Sequence, residues 1–407
     1  MQILVNLILL FLGIALLVFS ARLFISSSCV IGGYYLRLPS FIIGVLIIAI
    51  GTSAPEVVTS FAAAATGNGA LVIPNVYGTI VANICLGIGV ASLVYYVVST
   101  IQRNGKSKQK EYKKESLKEN IINRIAFLRM ISAYFRFSNY IQENVEAHPD
   151  CSTDRAYTEH LDKQKKYPSD VIIFERIDNV HIPFMLASVL VPAIMLIDKK
   201  LTLLEGGCLI MLFIGYIIPI LIEQARKTRE CKTDLRDNFS DAIKEFGIGK
   251  QNRPFKWVFG FSIFVFASSL YLLYISGPFI IEQILELSKN TGLDSDGLTG
   301  FIVALGTSVP EIAVACVAAS KNNIDMLMGD ILGSNIFDAL VIPSICVFAV
   351  PAATGLTVTS LGLYLIMPFC IVINLIAFAV LLDRRLSLAE MLLLVFVYGI
   401  FALKLFI

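Results

Sequence analysis

An eight-residue stretch occurs twice in this chain: Ala49-Ile50-Gly51-Thr52-Ser53-Ala54-Pro55-Glu56 and Ala304-Leu305-Gly306-Thr307-Ser308-Val309-Pro310-Glu311. Each copy lies inside a run of apolar residues long enough to cross a bilayer, and each carries a carboxylate at that depth. An ionisable group there costs at least ~2.5–3.5 kcal/mol on insertion scales, so it is kept for function. The copies are offset by 255 residues, and the same offset carries Gly78-Thr79-Ile80-Val81-Ala82-Asn83 onto Gly333-Ser334-Asn335-Ile336-Phe337-Asp338. Two motifs in one register mark a duplicated unit. A single Gly-Thr-Ser-x-Pro-Glu would read as a kinked structural helix; two copies in register set that reading aside.

Composition agrees with a membrane setting. Of 407 residues, 56% are hydrophobic and only 16% charged, against roughly a quarter charged in a soluble domain. Charge concentrates at about 102–180 and 223–256. The net charge of +2 gives no reason to invoke nucleic acid, because membrane topology accounts for the basic residues. Six of the eight cysteines (Cys29, Cys85, Cys208, Cys316, Cys346 and Cys370) fall in apolar segments, and no Cys-x-x-Cys occurs. Neither a zinc site nor a disulfide framework is indicated.

Apolar runs near the ~20 residues of a bilayer span fall at about 2–21, 38–65, 71–99, 181–198, 201–222, 257–281, 298–320, 326–352, 359–382 and 386–406. The first lacks a basic n-region and a cleavage site before Arg22, so it reads as a retained helix. Arg22 and Arg37 read as helix-end markers. The expected fold is therefore an all-α polytopic membrane protein of about ten transmembrane helices, five in each half. An odd number per half inserts the second copy upside down relative to the first, as in many secondary transporters. The chain divides into helices 1–3 (residues 1–100), a hydrophilic insert (101–180), helices 4–5 (181–222), an inter-repeat loop (223–256) and helices 6–10 (257–407). The stretch Ile121 to Tyr140, with Arg124, Arg129 and Arg136, reads as a surface helix within the insert. Excess Lys and Arg belongs on the cytoplasmic side, which puts the insert there and both termini outside. Lys199 and Lys200 run against that rule.

Thr52, Glu56 and Ser60 are spaced by four and share one helix face, as do Thr307 and Glu311, Thr79 and Asn83, and Ser334 and Asp338. Pro55 and Pro310 have no N–H to give the carbonyls of Gly51 and Gly306. Both helices are expected to break there, which is tolerated only where backbone lines a cavity or is buried in protein. Carboxylates, hydroxyls, amide oxygens and freed carbonyls suit hard cations, calcium and sodium, and not soft metals. Glu56, Glu311 and Asp338 cannot all stay ionised in a dry site without bound ions or protons. If sodium or protons and calcium compete for the same oxygens, the empty site is disfavoured and exchange is enforced. Asn335 reads chiefly as a packing residue at the helix break. His148, His160 and His181 lie outside the constellation.

These motifs resemble the alpha repeats of the calcium/cation antiporters, in particular the sodium/calcium exchangers. The resemblance implies Glu56 and Glu311 as central calcium carboxylates, with Thr52 and Thr307 adding oxygens. It implies flanking sodium sites from Ala49, Ser53, Thr79, Ala304, Ser308 and Ser334, with Asn83 and Asp338 as their central polar pair. It also implies that the first and sixth helices slide across a static bundle. Two features depart from the family pattern: Ile80 replaces the usual Asn of the first repeat, and the long insert falls between helices 3 and 4. The reading is a calcium-for-sodium antiporter without catalytic chemistry or cofactor; its partners are the two ions, the lipid bilayer and a possible cytoplasmic ligand of the insert. Potassium or proton coupling, or a non-transporting sensor or scaffold on this fold, are the alternatives. An intramembrane enzyme finds no nucleophile–base pair.

Overall fold

The computed structural model describes residues 2–36, 38–105, 138, 171–173, 181–230, 254–291, 296–351, 355–382 and 385–406. Within these residues the chain forms ten helical segments. They are α1 (Gln2–Cys29), α2 (Ser40–Thr52 and Ala54–Ala65), α3 (Gly69–Ile101), α4 (His181–Met195), α5 (Leu203–Glu230), α6 (Pro254–Thr291), α7 (Asp296–Ser320), α8 (Ile324–Val347), α9 (Gly362–Leu382) and α10 (Leu388–Phe406). Six are long and apolar enough to cross a membrane, and the bent α2 makes a seventh. The remaining apolar helices complete an all-α polytopic architecture. Arg22 does not end a helix: α1 runs on to Cys29 with Arg22 exposed on its side. Its long stem lets the charge leave the apolar layer without breaking the helix. Arg37 and the stretch Ile121 to Tyr140, Ser138 excepted, lie outside the described residues.

Four short strands show how the halves are related. They are β1 (Val171–Ile173), β2 (Lys200–Leu201), β3 (Leu356–Thr357) and β4 (Arg385–Ser387). β1 and β3 precede the fourth helix of their repeat, while β2 and β4 follow it. β1 pairs antiparallel with β4, and β2 with β3. The start of α4 therefore lies beside the end of α9, and the end of α4 beside the start of α9. Equivalent helices run in opposite directions, which is an inverted repeat.

The first helices of the two repeats repeat this relation. Phe279 and Ile280 close on Gly13, Phe266 stacks near Phe24 with centroids 5.0 Å apart, and Phe259 meets Tyr35 edge-on at 4.7 Å. As α1 ascends, its partners on α6 descend. Capping carries the same symmetry. Thr202 and Glu205 cap α5 reciprocally, and Ser387 and Glu390 cap α10 with the same geometry, the Glu carboxylate accepting the cap N–H at 2.7 Å in each. These boxes are 185 residues apart rather than 255; the 70-residue difference is the extra length of the polar insert.

α8 is the centre of the molecule: nearly all of it is buried, whereas most of α1 faces outward. It packs against the first half of α2 without intervening side chains. A Cβ on Gly329 would collide with the Phe41 carbonyl oxygen, one on Gly44 would fall 2.6 Å from that of Met326, and one on Gly333 2.8 Å from Val45 Cα. Small residues let helix backbones approach where no hydrophobic effect drives them together. Gly329→Ala is expected to lower stability by about 1–3 kcal/mol or more, since backbone and not a side-chain tip must yield. Gly207→Ala, with open space around it, should be close to neutral. Thermal unfolding of the detergent-purified protein compares the two.

Candidate cation site

The two copies of the repeated motif meet beside α8. In the first, the helix is interrupted at Ser53 (φ −80°, ψ 0°) and resumes at Ala54 with Pro55 in its opening turn, bending by 40°. Pro55 lacks the N–H that an unbroken ladder needs, and it is well tolerated in a first turn. Gly51 is required for a second reason: a Cβ there would lie 2.7 Å from the Phe24 ring of α1. The second copy behaves differently. α7 continues from Asp296 to Ser320 with Pro310 inside it, so the break expected at Gly306 is absent and the freed carbonyl is accommodated within a continuous helix. A proline deletes a single backbone donor, and the packing around it decides whether the helix parts or absorbs the loss. The side chains of Ala304, Gly306 and Thr307 lie outside the described residues.

The predicted polar residues are gathered inside the protein. Thr52, Ser53, Glu56, Ser60, Thr79, Asn83, Ser308, Glu311, Ser334, Asn335 and Asp338 are each at most 3% exposed. Glu56 and Glu311 stand at equivalent places in the two repeats and are close enough to repel one another, and both also feel Asp338. None of these six carboxylate oxygens meets a hydrogen-bond donor of ordinary geometry, nor do the Ser53, Ser60 and Ser308 hydroxyl oxygens. Ser53 lies beside Asp338 without forming such a bond. Among the described residues no Lys or Arg is buried, so no side-chain cation offsets the carboxylates. Nor do any three His, Cys, Asp or Glu side chains converge on one point there. A cation bound by two of these carboxylates would therefore complete its shell from hydroxyl, amide and carbonyl oxygens, the ordinary donors of a hard ion.

Several of these groups also bond within the protein. The Asn83 amide donates to Asn335 Oδ1 at 3.2 Å across the repeat boundary, leaving Asn83 Oδ1 without a donor. Asn335 sits where the first repeat has Ile80, so the broken symmetry at that position supplies the acceptor for this bond. The Ala49 carbonyl, expected to face an ion, accepts the Ser53 N–H at 3.0 Å and the Thr52 hydroxyl at 3.2 Å. The Ser334 hydroxyl donates to the Ile331 carbonyl at 3.2 Å. The helical hydrogen bonding relaxes to i→i+5 turns at Gly44–Ile48 and Asn83–Ile88, a distortion that often marks functional positions.

The motif reading passed over Asp330. It is 1% exposed, neither of its oxygens meets a donor of ordinary geometry, and it lies beside Thr52 and within reach of the Asp338 and Glu311 charges. Its signal was the four-residue stripe Asp330, Ser334, Asp338 on α8, mirrored at the 255-residue offset by Asn75, Thr79, Asn83 on α3.

An inverted-repeat bundle with buried, donor-free carboxylates at its centre defines a membrane transporter for cations. The chain matches the family described as "Sodium/calcium exchanger protein" over residues 5–140 and 261–407 and belongs to it. The sodium/calcium exchanger MaX1 of Methanosarcina acetivorans is 22% identical over 376 residues, covering 91% of this chain and 90% of that protein. The inner membrane protein YrbG of Escherichia coli is 23% identical over 336 residues, covering 82% and 77%. A solved structure of the sodium-calcium exchanger NCX_Mj superposes with a TM-score of 0.62 at 17% identity, covering 99% of both chains.

The Asn83–Asn335 bond gives a direct test of the repeat interface. A double-mutant cycle with Asn83→Ala and Asn335→Ala should return a stabilising coupling of ~0.6 kcal/mol, with ~1.7 kcal/mol as the upper end for such bonds in membranes. Unfolding of purified wild type, both single variants and the double variant measures it.

Proposed function

We propose that this protein is an antiporter that exchanges calcium for sodium by alternating access. The observation that carries the reading is the burial of Glu56 and Glu311, at equivalent positions of two inverted halves, near enough for their charges to interact and without protein donors. In this reading Glu56 and Glu311 are the calcium carboxylates, with Thr52 and Thr307 completing the shell. Ser53, Thr79, Asn83, Ser308, Ser334 and Asp338, with the backbones of Ala49 and Ala304, hold sodium on either side. Two charges from calcium, or the equivalent from sodium ions, offset the paired carboxylates. The unloaded site leaves like charges facing each other in a low-dielectric interior, which disfavours passage through the empty state. Loaded crossings then dominate, and the two ions move in opposite directions.

The moving part in this reading is the antiparallel pair α1 and α6, which is largely exposed on the outside of the bundle and touches the site helix through Phe24 and Gly51. The termini lie outside and the polar insert lies in the cytoplasm, following the distribution of Lys and Arg. Sodium as the counter-ion is the reading that fits the family's description.

The test is radiocalcium uptake into sodium-loaded proteoliposomes. Wild type should accumulate calcium when sodium is diluted outside and fail to do so when sodium is equal on both sides. Glu56→Gln and Glu311→Gln should each reduce gradient-driven uptake to background while leaving the protein monodisperse. Uptake indifferent to the sodium gradient would remove sodium coupling, and uptake surviving both substitutions would remove the assigned site.

A further inference from the structure

A side-chain amide is two-ended, with an acceptor oxygen on one side and an NH2 donor on the other. An asparagine can offer its oxygen to a cation only while its NH2 group is turned away, and in a buried setting that group then needs an acceptor of its own. At Asn83 the acceptor is Asn335 Oδ1, which takes the amide N–H at 3.2 Å and leaves Asn83 Oδ1 without a donor. Both residues are fully buried. Asn335 lies three residues before Asp338 on α8, so the bond holds Asn83 within about one helical turn of that carboxylate's position.

Both backbones are locked at this point. Asn83 opens the i→i+5 turns of α3, and Gly87 within them receives Ile331 of α8 so closely that a Cβ would lie 2.9 Å from its Cδ1. Gly333, two residues before Asn335, is pressed against Val45 and Ala49 of α2. A side chain carried on elements fixed in this way can serve as a back-stop for another. The arrangement also leaves Asn335 Nδ2 without an acceptor, while turning Asn335 over would set its NH2 group against that of Asn83. One bond is made and two amide atoms stay unmet, which favours direction over stability.

The repeat register points the same way. Asn83 corresponds to Asp338, and Asn335 corresponds to Ile80. Ile80, itself fully buried, therefore holds the place behind Asp338 that Asn335 holds behind Asn83. An ionised carboxylate has acceptor oxygens at both corners and no NH2 group to dispose of. It has no wrong way round, and an apolar neighbour suffices. An amide does have a wrong way round, and behind the amide stands an acceptor.

We propose that Asn335 is a positioning residue for sodium: it takes up the NH2 group of Asn83 and so holds the Asn83 oxygen toward the ion. The assignment rests on the reading of Asn83 as a sodium ligand. Asn335 itself touches no ion. Calcium between Glu56 and Glu311 does not draw on the Asn83 oxygen, so the loss of Asn335 falls on sodium.

The experiment is sodium-driven efflux of radiocalcium from proteoliposomes of the full chain, with external sodium varied. Asn335→Leu, close in size to the native side chain, should raise the half-saturating sodium concentration severalfold and change the maximal rate far less. The same substitution in an Asn83→Asp background, which has no NH2 group to take up, should not raise it further. Packing alone would give the same shift in both backgrounds. An unshifted half-saturation in Asn335→Leu overturns the proposal, and so does an equal shift in the two backgrounds. Asn335→Ala serves the same comparison if the leucine variant does not fold, and Asn83→Ser, which also lacks the NH2 group, replaces Asn83→Asp if the added charge stops efflux. A wild type without sodium-driven efflux would defeat the exchanger reading itself, an outcome distinct from failure of this assignment.

Discussion

Negative charge held in a low-dielectric interior without a positive side chain is the constraint on which the rest of this structure depends. Glu56, Glu311, Asp330 and Asp338 are all buried, and none finds a hydrogen-bond donor of ordinary geometry. In hydrocarbon such groups are rare and face the bundle interior. The surrounding helices are arranged to meet that requirement. α8 carries two of the carboxylates and is the most enclosed of the candidate spans, while α2 and α7 bring one each from opposite halves. The glycines at 44, 329 and 333 allow the backbones to close around these charges.

The inverted duplication suits the proposed exchange. A site that is to serve both membrane faces in turn is most simply built from two copies of one unit in opposite orientation, each supplying half of the ligands. Strand pairing, the aromatic contacts along α1 and α6, and the matched capping boxes of α5 and α10 all express that symmetry. It is not complete. The first motif breaks its helix while the second does not, and Asn75 and Ile80 stand opposite Asp330 and Asn335. These differences are what can make the two halves of the site unequal in charge and in hydrogen bonding.

Much of this was legible in the amino-acid order because membrane insertion restricts what a sequence can mean. Apolar run length marks helices, and a carboxylate inside such a run is conspicuous. The duplicated Gly-Thr-Ser-x-Pro-Glu therefore disclosed both the repeat and the residues at its centre. What stayed hidden depends on contacts between distant segments. The pairing of Asn83 with Asn335 reflects which helix faces meet, and residue spacing does not encode that. The continuity of α7 through Pro310 reflects packing that compensates for one missing donor. Asp330 was passed over because it lies outside the paired motifs, although its four-residue stripe with Ser334 and Asp338 was in plain view. The ribbons joining the halves involve two or three residues each, too few to stand out from loop sequence.

Those ribbons have a mechanical consequence. β1 with β4 and β2 with β3 fasten the two ends of α4 to the opposite ends of α9. Prising α4 and α9 apart at either rim would break backbone hydrogen bonds there. In the proposed exchange cycle the side of the molecule that carries them would serve as the stator, cross-stitched at top and bottom. The antiparallel α1–α6 pair has no such stitching among the described residues, which suits it to the part of rotor in that cycle.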